Sequence, residues 1–320
     1  MENLETKINN MKNQTIGVEI EMNNISREKA AKIVADYFNS RVGYTGGCYD
    51  TYTSGDRKGR TWRFVTDASI QGPRSEQCEM VTPILTYDDI EDLQNIVRLL
   101  RAAGAKSDYT RNCGVHIHIG AAGHTPATMR NLTNIMASHE LLLVDALAIN
   151  RSRLSRWCRP VDPRFLEAVN KKKPTTMAKF ADVWYQSQGE DWGRNEHYNG
   201  SRYHILNFHA TFTKGTIEFR LFQFDAPDGT KKNGLHAGQL KAYIQLCLAL
   251  SNQAKETKFA SFKPQQNENP KYAMRTWLLR LGFIGDEFKT AREVLTNRLK
   301  GDASFRSGVR PTPATEMAAQ

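Results

Sequence analysis

Three short segments, far apart in the chain, place ionisable residues at alternate positions of apolar runs. They cover residues 17–22 (GVEIEM), 114–120 (GVHIHIG) and 216–220 (TIEFR). Side chains alternate between the two faces of a strand, so each segment predicts a strand with one apolar and one ionisable face. The ionisable pairs are Glu19 with Glu21, His116 with His118, and Glu218 with Arg220. Three such strands can line one polar cleft suited to divalent metal and phosphate chemistry.

Strand and helix signals alternate irregularly along the rest of the chain. Further strands are predicted at residues 61–67, 78–81 and 203–210, and helices at residues 26–39, 86–103, 125–150, 234–253 and, as two short helices, within 272–299. Strands that are polar on one face and apolar on the other are typical of an antiparallel sheet with helices packed on one side. The sequence therefore predicts an α+β fold whose open sheet face forms a site.

Composition places the chain among soluble globular proteins. Of its 320 residues, 40% are hydrophobic and 24% are charged. No run approaches the ~18 apolar residues that a membrane span needs. The five cysteines lack CxxC spacing, which argues against a disulfide framework or a zinc knuckle. Residues 1–14 do not resemble a secretory signal, so we expect a cytoplasmic protein that does not associate with membranes.

The formal net charge of +10 favours anionic partners such as nucleotides, nucleic acid or acidic peptides. Basic residues cluster at positions 151–156 (RSRLSR) and 171–173 (KKK). Each cluster is either a solvated basic surface or part of a functional one, and the sequence leaves both interpretations open.

Each ionisable pair has a structural alternative. Two glutamates on one strand face repel each other, so Glu19 and Glu21 need a metal or basic side chains nearby, unless they are simply solvated. The histidines could bind metal and phosphate, or be buried histidines satisfied by the backbone. Glu218 and Arg220 could serve as metal ligand and phosphate-binding group, or form an ion pair. The other histidines lack this context and are expected to be structural or exposed.

Five further residues are weaker candidates. Asp67 and Ser69 follow a predicted strand, where they could face a substrate or form an Asx turn. Glu79 is a polar residue in a short apolar strand, and Arg202 and Asn207 precede the last motif. The sequence has no GxxxxGK[ST] phosphate loop, so a bound nucleotide would depend on metal ions and arginines.

Taken together in this order, the motifs resemble the amidoligases of the carboxylate–amine ligase superfamily, which includes glutamine synthetase and glutamate–cysteine ligase. The similarity spans residues 14–249, and GVHIHIG and IEFR are its most specific segments. It implies a curved, mainly antiparallel sheet backed by helices, in a glutamine synthetase-like catalytic fold. It also implies ATP-dependent amide formation with Mg²⁺ or Mn²⁺.

The resemblance further implies roles for individual residues. The metal ligands would be Glu19, Glu21, Glu79, His116 and Glu218. The catalytic residues would be Arg220, Arg202 and Asp67, and the ATP-binding residues His118, Arg220, Ser69 and Asn207. Thr216 departs from glutamine synthetase, which has an arginine at the matching position. The ammonia-site features are also missing, so we expect an amine other than ammonia.

This interpretation divides the chain into segments. We expect a flexible N-terminus at 1–13, a catalytic domain at 14–255, a helical extension at 256–300 and a disordered tail at 301–320. Within the catalytic domain, residues 170–200 are long, polar and rich in tryptophan, which predicts a flap or an insertion.

The predicted function is an ATP-dependent carboxylate–amine ligase that works through an acyl phosphate. Its substrates would be a small-molecule or peptide carboxylate, acidic in view of the basic cleft, and an amine. One alternative is a metal-dependent hydrolase with the same Glu and His ligands. Another is a basic nucleic-acid-binding protein with a structural metal, which ranks last because it does not explain acidic residues inside strands. The sequence makes no prediction of the oligomeric state.

Overall fold

The structure is a computed structural model that describes residues 4–226, 234–264 and 268–307. Its strands are β1 (Ile16–Met22), β2 (Val42–Gly46), β3 (Thr51–Gly55), β4 (Thr61–Val65), β5 (Cys78–Val81), β6 (Val115–Gly120), β7 (Leu206–Asn207) and β8 (Thr216–Phe222). They form one sheet of order β2-β3-β4-β5-β1-β6-β8-β7, in which every neighbouring pair is antiparallel. The α+β prediction with an antiparallel sheet is therefore confirmed.

The helices are α1 (Leu4–Lys12), α2 (Arg27–Phe38), α3 (Ile90–Ala102), α4 (Pro126–Leu147), α5 (Arg151–Arg156), α6 (Pro163–Lys172), α7 (Met177–Gln188), α8 (His209–Lys214), α9 (Ala237–Glu256), α10 (Pro270–Arg280) and α11 (Lys289–Thr296). Short 3-10 helices cover Arg74–Glu76, Tyr87–Asp89, Tyr109–Arg111, Gly200–Arg202 and Asp286–Phe288. No helix in the described part of the chain is long and apolar enough to span a membrane.

Helices cover one face of the sheet and leave the other open. Helix α2 packs on β3, β4 and β5. Helix α9 packs on β6 and also contacts α1, α3, α4 and α11. The apolar residues of the motif strands enter this core, where Val18, Ile20, Val115, Ile117 and Ile119 are almost completely buried. The ionisable residues at the alternate positions therefore point to the open face.

Local capping explains where the predicted helices begin. The side chain of Ser26 accepts a hydrogen bond from the backbone N–H of Lys29 at the start of α2. Thr86 and Asp89 form a capping box ahead of α3, as their spacing predicts. The same type of cap at Thr125 begins α4. Each cap satisfies backbone groups that a helix end would otherwise leave unpaired.

Three segments differ from the expectation. Residues 4–12, expected to be flexible, form α1, which packs against α9. Residues 203–210 were predicted as one strand, but only Leu206–Asn207 is a strand, because α8 begins at His209, whose backbone N–H donates to the side chain of Asn207. Within 170–200, α7 forms because Thr176 caps it and its apolar face is buried.

The segment 256–300, where a helical extension is expected, contains two α-helices in its described part. Helices α10 and α11 follow α9, and α11 packs against both α9 and α4. Residues 301–307 contain turns and bends. The rest of the expected disordered tail, residues 308–320, lies outside the described residues.

Candidate active site

The register of the sheet brings the three motifs together. Strand β1 lies between β5 and β6, and β6 lies between β1 and β8. Across these pairs the opposed residues are Glu19 with His116, Glu21 with Glu79, and His118 with Glu218. Four neighbouring strands thus contribute carboxylate or imidazole groups to one patch of the open face.

A β-bulge on β8 places Arg220 in the same patch. Between the pairs Val115–Phe222 and Ile117–Phe219, two residues of β8 oppose the single residue His116. Such a bulge bends a strand and redirects its side chains, and it recurs beside active sites. Arg220 Nη1 donates to Glu218 Oε1 at 2.5 Å, and both side chains are buried.

The acidic and imidazole groups form three overlapping sets, each of which could hold a metal ion. The sets are Glu19, Glu79 and His116; Glu19, His118 and Glu218; and Glu21, Asp67 and Glu79. Within each set, the candidate ligand atoms all lie within 4.8 Å of one another. Glu19 belongs to two sets and Glu79 to two, so the cluster could hold more than one ion. All five predicted metal ligands are in it, together with His118 and Asp67.

His116 and His118, both on β6, approach the carboxylate of Glu19. His116 Nδ1 lies 3.2 Å from Glu19 Oε2, and His118 Nε2 lies 3.4 Å from Glu19 Oε1. His118 Nδ1 is held by Thr216 Oγ1 at 2.9 Å, which fixes the orientation of the ring. His118 Nε2 is buried and has no hydrogen-bond partner among the described residues. The ring therefore presents a free nitrogen to the carboxylate cluster.

Burial and neighbouring charges shift the pKa values of three carboxyl groups in the cluster. Burial opposes ionisation of Glu19, but the charge of His118 and the hydrogen bond with His116 hold its pKa well below the usual value. Burial also opposes ionisation of Glu218, whose pKa Arg220 and His118 nevertheless hold low. Burial raises the pKa of Glu79 well above the usual value, and the neighbouring carboxylates raise it further. A divalent cation would favour the ionised form of Glu79.

Glu19, Glu21, Asp67, Glu79 and His116 of this cluster line the floor of a cleft with a cavity volume of about 620 Å³, whereas His118 and Glu218 are not part of its lining. Its lining carries the basic side chains Arg74, Arg153, Arg156, Arg202, Lys214 and Arg220, and the aromatic side chains Tyr49, Trp157, Tyr198 and Tyr203. Lys214 Nζ lies 3.4 Å from Glu19 Oε1. A cleft with an acidic floor and basic walls can bind cations below and anionic groups above.

A pair of tyrosines closes the cleft from above. Tyr49 lies between β2 and β3 at one edge of the sheet, and Tyr198 precedes β7 at the other edge. In a flat sheet these edges, seven strand spacings apart, would be separated by about 34 Å. Instead the two hydroxyl oxygens are 3.1 Å apart. The sheet with its loops therefore curves around the cleft, and we call this contact the tyrosine bridge.

Four of the predicted catalytic and ATP-binding residues line the cleft, namely Asp67, Ser69, Arg202 and Arg220. Asp67 and Ser69 line the cleft, and Asp67 Oδ1 accepts the backbone N–H of Ser69 at 2.7 Å, so an Asx turn presents the carboxylate to the cluster. The Asx turn is therefore present, and a role toward a substrate stays a prediction. Arg202 lines the cleft and donates to the His197 carbonyl at 2.8 Å, while its Nε is buried without a partner among the described residues.

Asn207 is placed behind the site rather than in the cleft. It is buried, its Nδ2 donates to Glu218 Oε2 at 2.6 Å, and its Oδ1 accepts the N–H of His209 at 2.8 Å. Its amide is therefore engaged on both sides, and it orients a metal-ligand candidate instead of reaching toward a nucleotide.

The sequence did not single out several cleft residues. Arg153, Arg156 and Trp157 come from α5 and its end, and the basic run at 151–156 was the available signal. His197 was expected to be structural or exposed, but it lines the cleft. Tyr49 and Tyr198 meet only in three dimensions, so no local pattern indicates them.

Comparison with known proteins agrees with the motif order. A family model described as "Putative amidoligase enzyme" matches residues 12–251, which include the whole sheet. A search of curated proteins gives no match. Among solved structures, the chain is similar to a bifunctional glutathione synthetase from Pasteurella multocida, with 13% identity and a TM-score of 0.38. That alignment covers 99% of this chain and 50% of the synthetase, so this chain spans about half its length. Because the family model matches most of the sequence, the chain belongs to this amidoligase family.

Proposed function

We propose that the protein is an ATP-dependent ligase that joins a carboxylate to an amine through an acyl phosphate. One observation carries the proposal: three overlapping metal-ligand sets share Glu19 and Glu79 on the floor of a cleft with basic walls. A site that transfers a phosphoryl group needs cations for the triphosphate and positive charge for the group in transit. The cluster offers ligands for such cations, and the walls offer the positive charge.

The residues present fit Mg²⁺ or Mn²⁺. Carboxylate oxygens with imidazole nitrogen form a donor set that Mn²⁺ accepts readily, and Mg²⁺ suits the carboxylates. The unpartnered Nε2 of His118 leaves one further nitrogen facing the cluster. Glu19, Glu21, Glu79, His116 and Glu218 would hold the ions. Bound ions would neutralise charge on the phosphate oxygens.

The basic wall would position the anionic substrates. Arg202 has a buried nitrogen without a partner in the part of the chain that the structure describes. Arg220 and Lys214 border the cluster through their ion pairs with Glu218 and Glu19. In the proposed reaction these side chains face the triphosphate, since the sequence has no phosphate loop. The excess of basic groups also favours an acidic carboxylate substrate.

The reaction then has two steps. A carboxylate oxygen of the acid substrate attacks the γ-phosphorus of ATP, and the bond to the β-phosphate oxygen breaks to release ADP. Arg220 stabilises the charge on the phosphoryl group during this transfer. The amine next attacks the acyl carbon, the amide bond forms and inorganic phosphate leaves. In this proposal the tyrosine bridge limits the access of water to the cleft. It thereby protects the acyl phosphate, which hydrolyses readily.

The test is ADP release from ATP by the purified protein with Mg²⁺ or Mn²⁺. Pools of amino acids, polyamines and glutamyl peptides serve as candidate substrates. We expect one pool to stimulate ADP release, and the stimulation to vanish in Glu19→Ala and His116→Ala variants. Glu167→Gln, an exposed acid on α6, is the matched surface control and should behave as the wild type.

Two results would count against the ligase. Full metal-dependent ATP turnover by Glu19→Ala would show that the cluster does not take part in the reaction. Failure to bind ATP in calorimetry, combined with nucleotide-independent hydrolysis of a peptide or amide, would favour the metal-dependent hydrolase that uses the same ligands.

A further inference from the structure

The basic helix α5 carries two arginines that the proposed reaction does not use. Arg153 and Arg156 both line the cleft. They are three positions apart, so they lie on neighbouring parts of one helix face. Arg151, on the same helix, is exposed and does not line the cleft.

Arg153 is a buried cation without a counter-ion. Its exposed fraction is 2%, and its Nη2 donates to the carbonyl oxygens of Arg220 and Phe222, both at 3.3 Å. Its Nε has no hydrogen-bond partner, and no carboxylate of residues 4–226, 234–264 or 268–307 forms an ion pair with it. Burying an unpaired charge is costly, so the position favours a ligand that supplies negative charge.

The thiols next to Arg153 do not neutralise it. Cys113 and Cys158 are the thiols that feel its charge. Burial raises the pKa of both thiols, more than Arg153 lowers it, so they remain neutral at physiological pH.

The backbone is shaped to admit this guanidinium. A Cβ at Gly114 would lie 2.6 Å from Arg153 Nη1 and closer still to Nη2, so only glycine leaves room. The N–H of the same glycine donates to Glu21 Oε2 at 2.6 Å. Arg153 therefore borders the Glu21 end of the metal-ligand cluster, while Lys214 borders Glu19.

Arg156 is held on a fixed aromatic wall. Its guanidinium carbon lies 4.6 Å from the centre of the Trp157 ring. Trp157 Nε1 donates to Asn112 Oδ1 at 3.0 Å, and Asn112 Nδ2 donates to the Ser69 carbonyl at 2.6 Å. Among the described residues no carboxylate pairs with Arg156. Lys214 and Arg220, in contrast, are already paired with glutamates.

We propose that Arg153 and Arg156 form an oxyanion subsite separate from Arg202, Lys214 and Arg220. This subsite holds an anionic group that is not transferred in the reaction. The shared ligand chemistry is a phosphate or carboxylate. The group could be a phosphate of the nucleotide or a second carboxylate of the acid substrate. Only this choice of source rests on the proposed function. Binding itself does not require turnover.

The experiment is calorimetric titration of the wild type and of the Arg153→Lys, Arg156→Ala and Arg151→Ala variants. The probes are a non-hydrolysable ATP analogue with Mg²⁺, inorganic phosphate, and glutarate with butyrate as the monocarboxylate comparison. We expect Arg153→Lys and Arg156→Ala each to weaken one probe by about tenfold or more, since hydrogen bonds to charged groups are involved. Arg151→Ala, which removes a charge from the same helix outside the cleft, should leave the affinity unchanged.

The pattern of loss identifies the source. Loss confined to the nucleotide analogue assigns the subsite to a nucleotide phosphate, and loss confined to glutarate assigns it to a second carboxylate. Binding of no probe by the wild type, or equal affinities in all variants, overturns the subsite. Arg156 is exposed, so its variant tests the proposal even if Arg153→Lys lowers stability. Failure of ADP release with Arg153-dependent binding intact would contradict the ligase alone.

Discussion

Asn207 holds Glu218 in place through a hydrogen bond of 2.6 Å to Oε2, while Arg220 occupies Oε1 of the same carboxylate. Asn207→Ala removes this donor and also leaves the N–H of His209 without its acceptor. We expect a loss of about 1–3 kcal/mol of unfolding free energy and about 10–100-fold weaker Mn²⁺ binding. Urea unfolding and Mn²⁺ titration measure the two effects. Unchanged Mn²⁺ affinity in a folded Asn207→Ala variant would remove Glu218 from the metal site.

Gly114→Ala tests the environment of Arg153 without removing a charge. The added methyl group would overlap the guanidinium, so the arginine must move. We expect a modest destabilisation of about 1–3 kcal/mol and a loss of oxyanion binding similar to that in Arg153→Lys. Thermal unfolding and the same calorimetric titrations measure this. Full oxyanion affinity in Gly114→Ala would show that the position of the guanidinium does not matter.

Metal binding should strengthen as pH rises. The pKa of Glu79 in the metal-free protein is raised, so this carboxyl keeps its proton at pH values where glutamate is normally ionised. A metal ion must displace that proton, and its affinity falls as pH drops through the raised pKa. Mn²⁺ titrations at several pH values, in buffers of different ionisation enthalpy, should detect proton release. Glu79→Gln should bind Mn²⁺ more weakly and release less proton.

Glu140 provides a pH effect away from the cleft. Burial raises its pKa to about 7, although Oε2 accepts the N–H of Val161 at 3.1 Å. The folded state thus binds the proton more tightly than the unfolded chain. Its contribution to stability is full below the ordinary pKa of 4.5 and is lost as pH rises through about 7.

Glu140→Gln keeps an acceptor oxygen and cannot titrate. Relative to the wild type, the variant should gain about 2 kcal/mol of unfolding free energy between pH 5 and pH 8. Urea unfolding at the two pH values measures the difference. An unchanged difference would mean that Glu140 ionises normally in the folded protein.

The tyrosine bridge should contribute access control and little stability. Tyr198→Phe removes one of the two hydroxyls, both on exposed side chains. We expect the unfolding free energy to change by less than about 0.5 kcal/mol. Amide hydrogen exchange in residues 46–50 and 189–200 should become several-fold faster. Tyr109→Phe, an exposed tyrosine outside the cleft lining, is the control. Equal exchange rates in both variants would show that the bridge does not hold these segments.

The motif strands were predictable because their signal is local. Alternation fixes which side of β1 carries Glu19 and Glu21, and caps at Ser26 and Thr86 mark where helices begin. These features depend on neighbouring residues alone. The family match over residues 12–251 agrees with the order of the motifs.

Other features depend on contacts that a local pattern does not carry. The strand predicted at 203–210 ends at Asn207, whose side chain accepts the backbone N–H of His209, the first residue of α8. Arg153 lies in a basic run for which the sequence leaves both a solvated and a functional surface open, and it is buried where Gly114, 39 positions away, leaves space for it. The roles of Asn207 and Arg153 are therefore visible only in the folded chain.

The contact between Tyr49 and Tyr198 turns an open sheet into a closed ring around the cleft. A small molecule can enter such a ring without disturbing it, and so can the free end of a polymer. The middle of a long chain can reach Glu19 only if it is threaded from one end or if the two hydroxyls separate. In the proposed reaction, the bridge would therefore favour termini and free molecules over internal positions of a polymer.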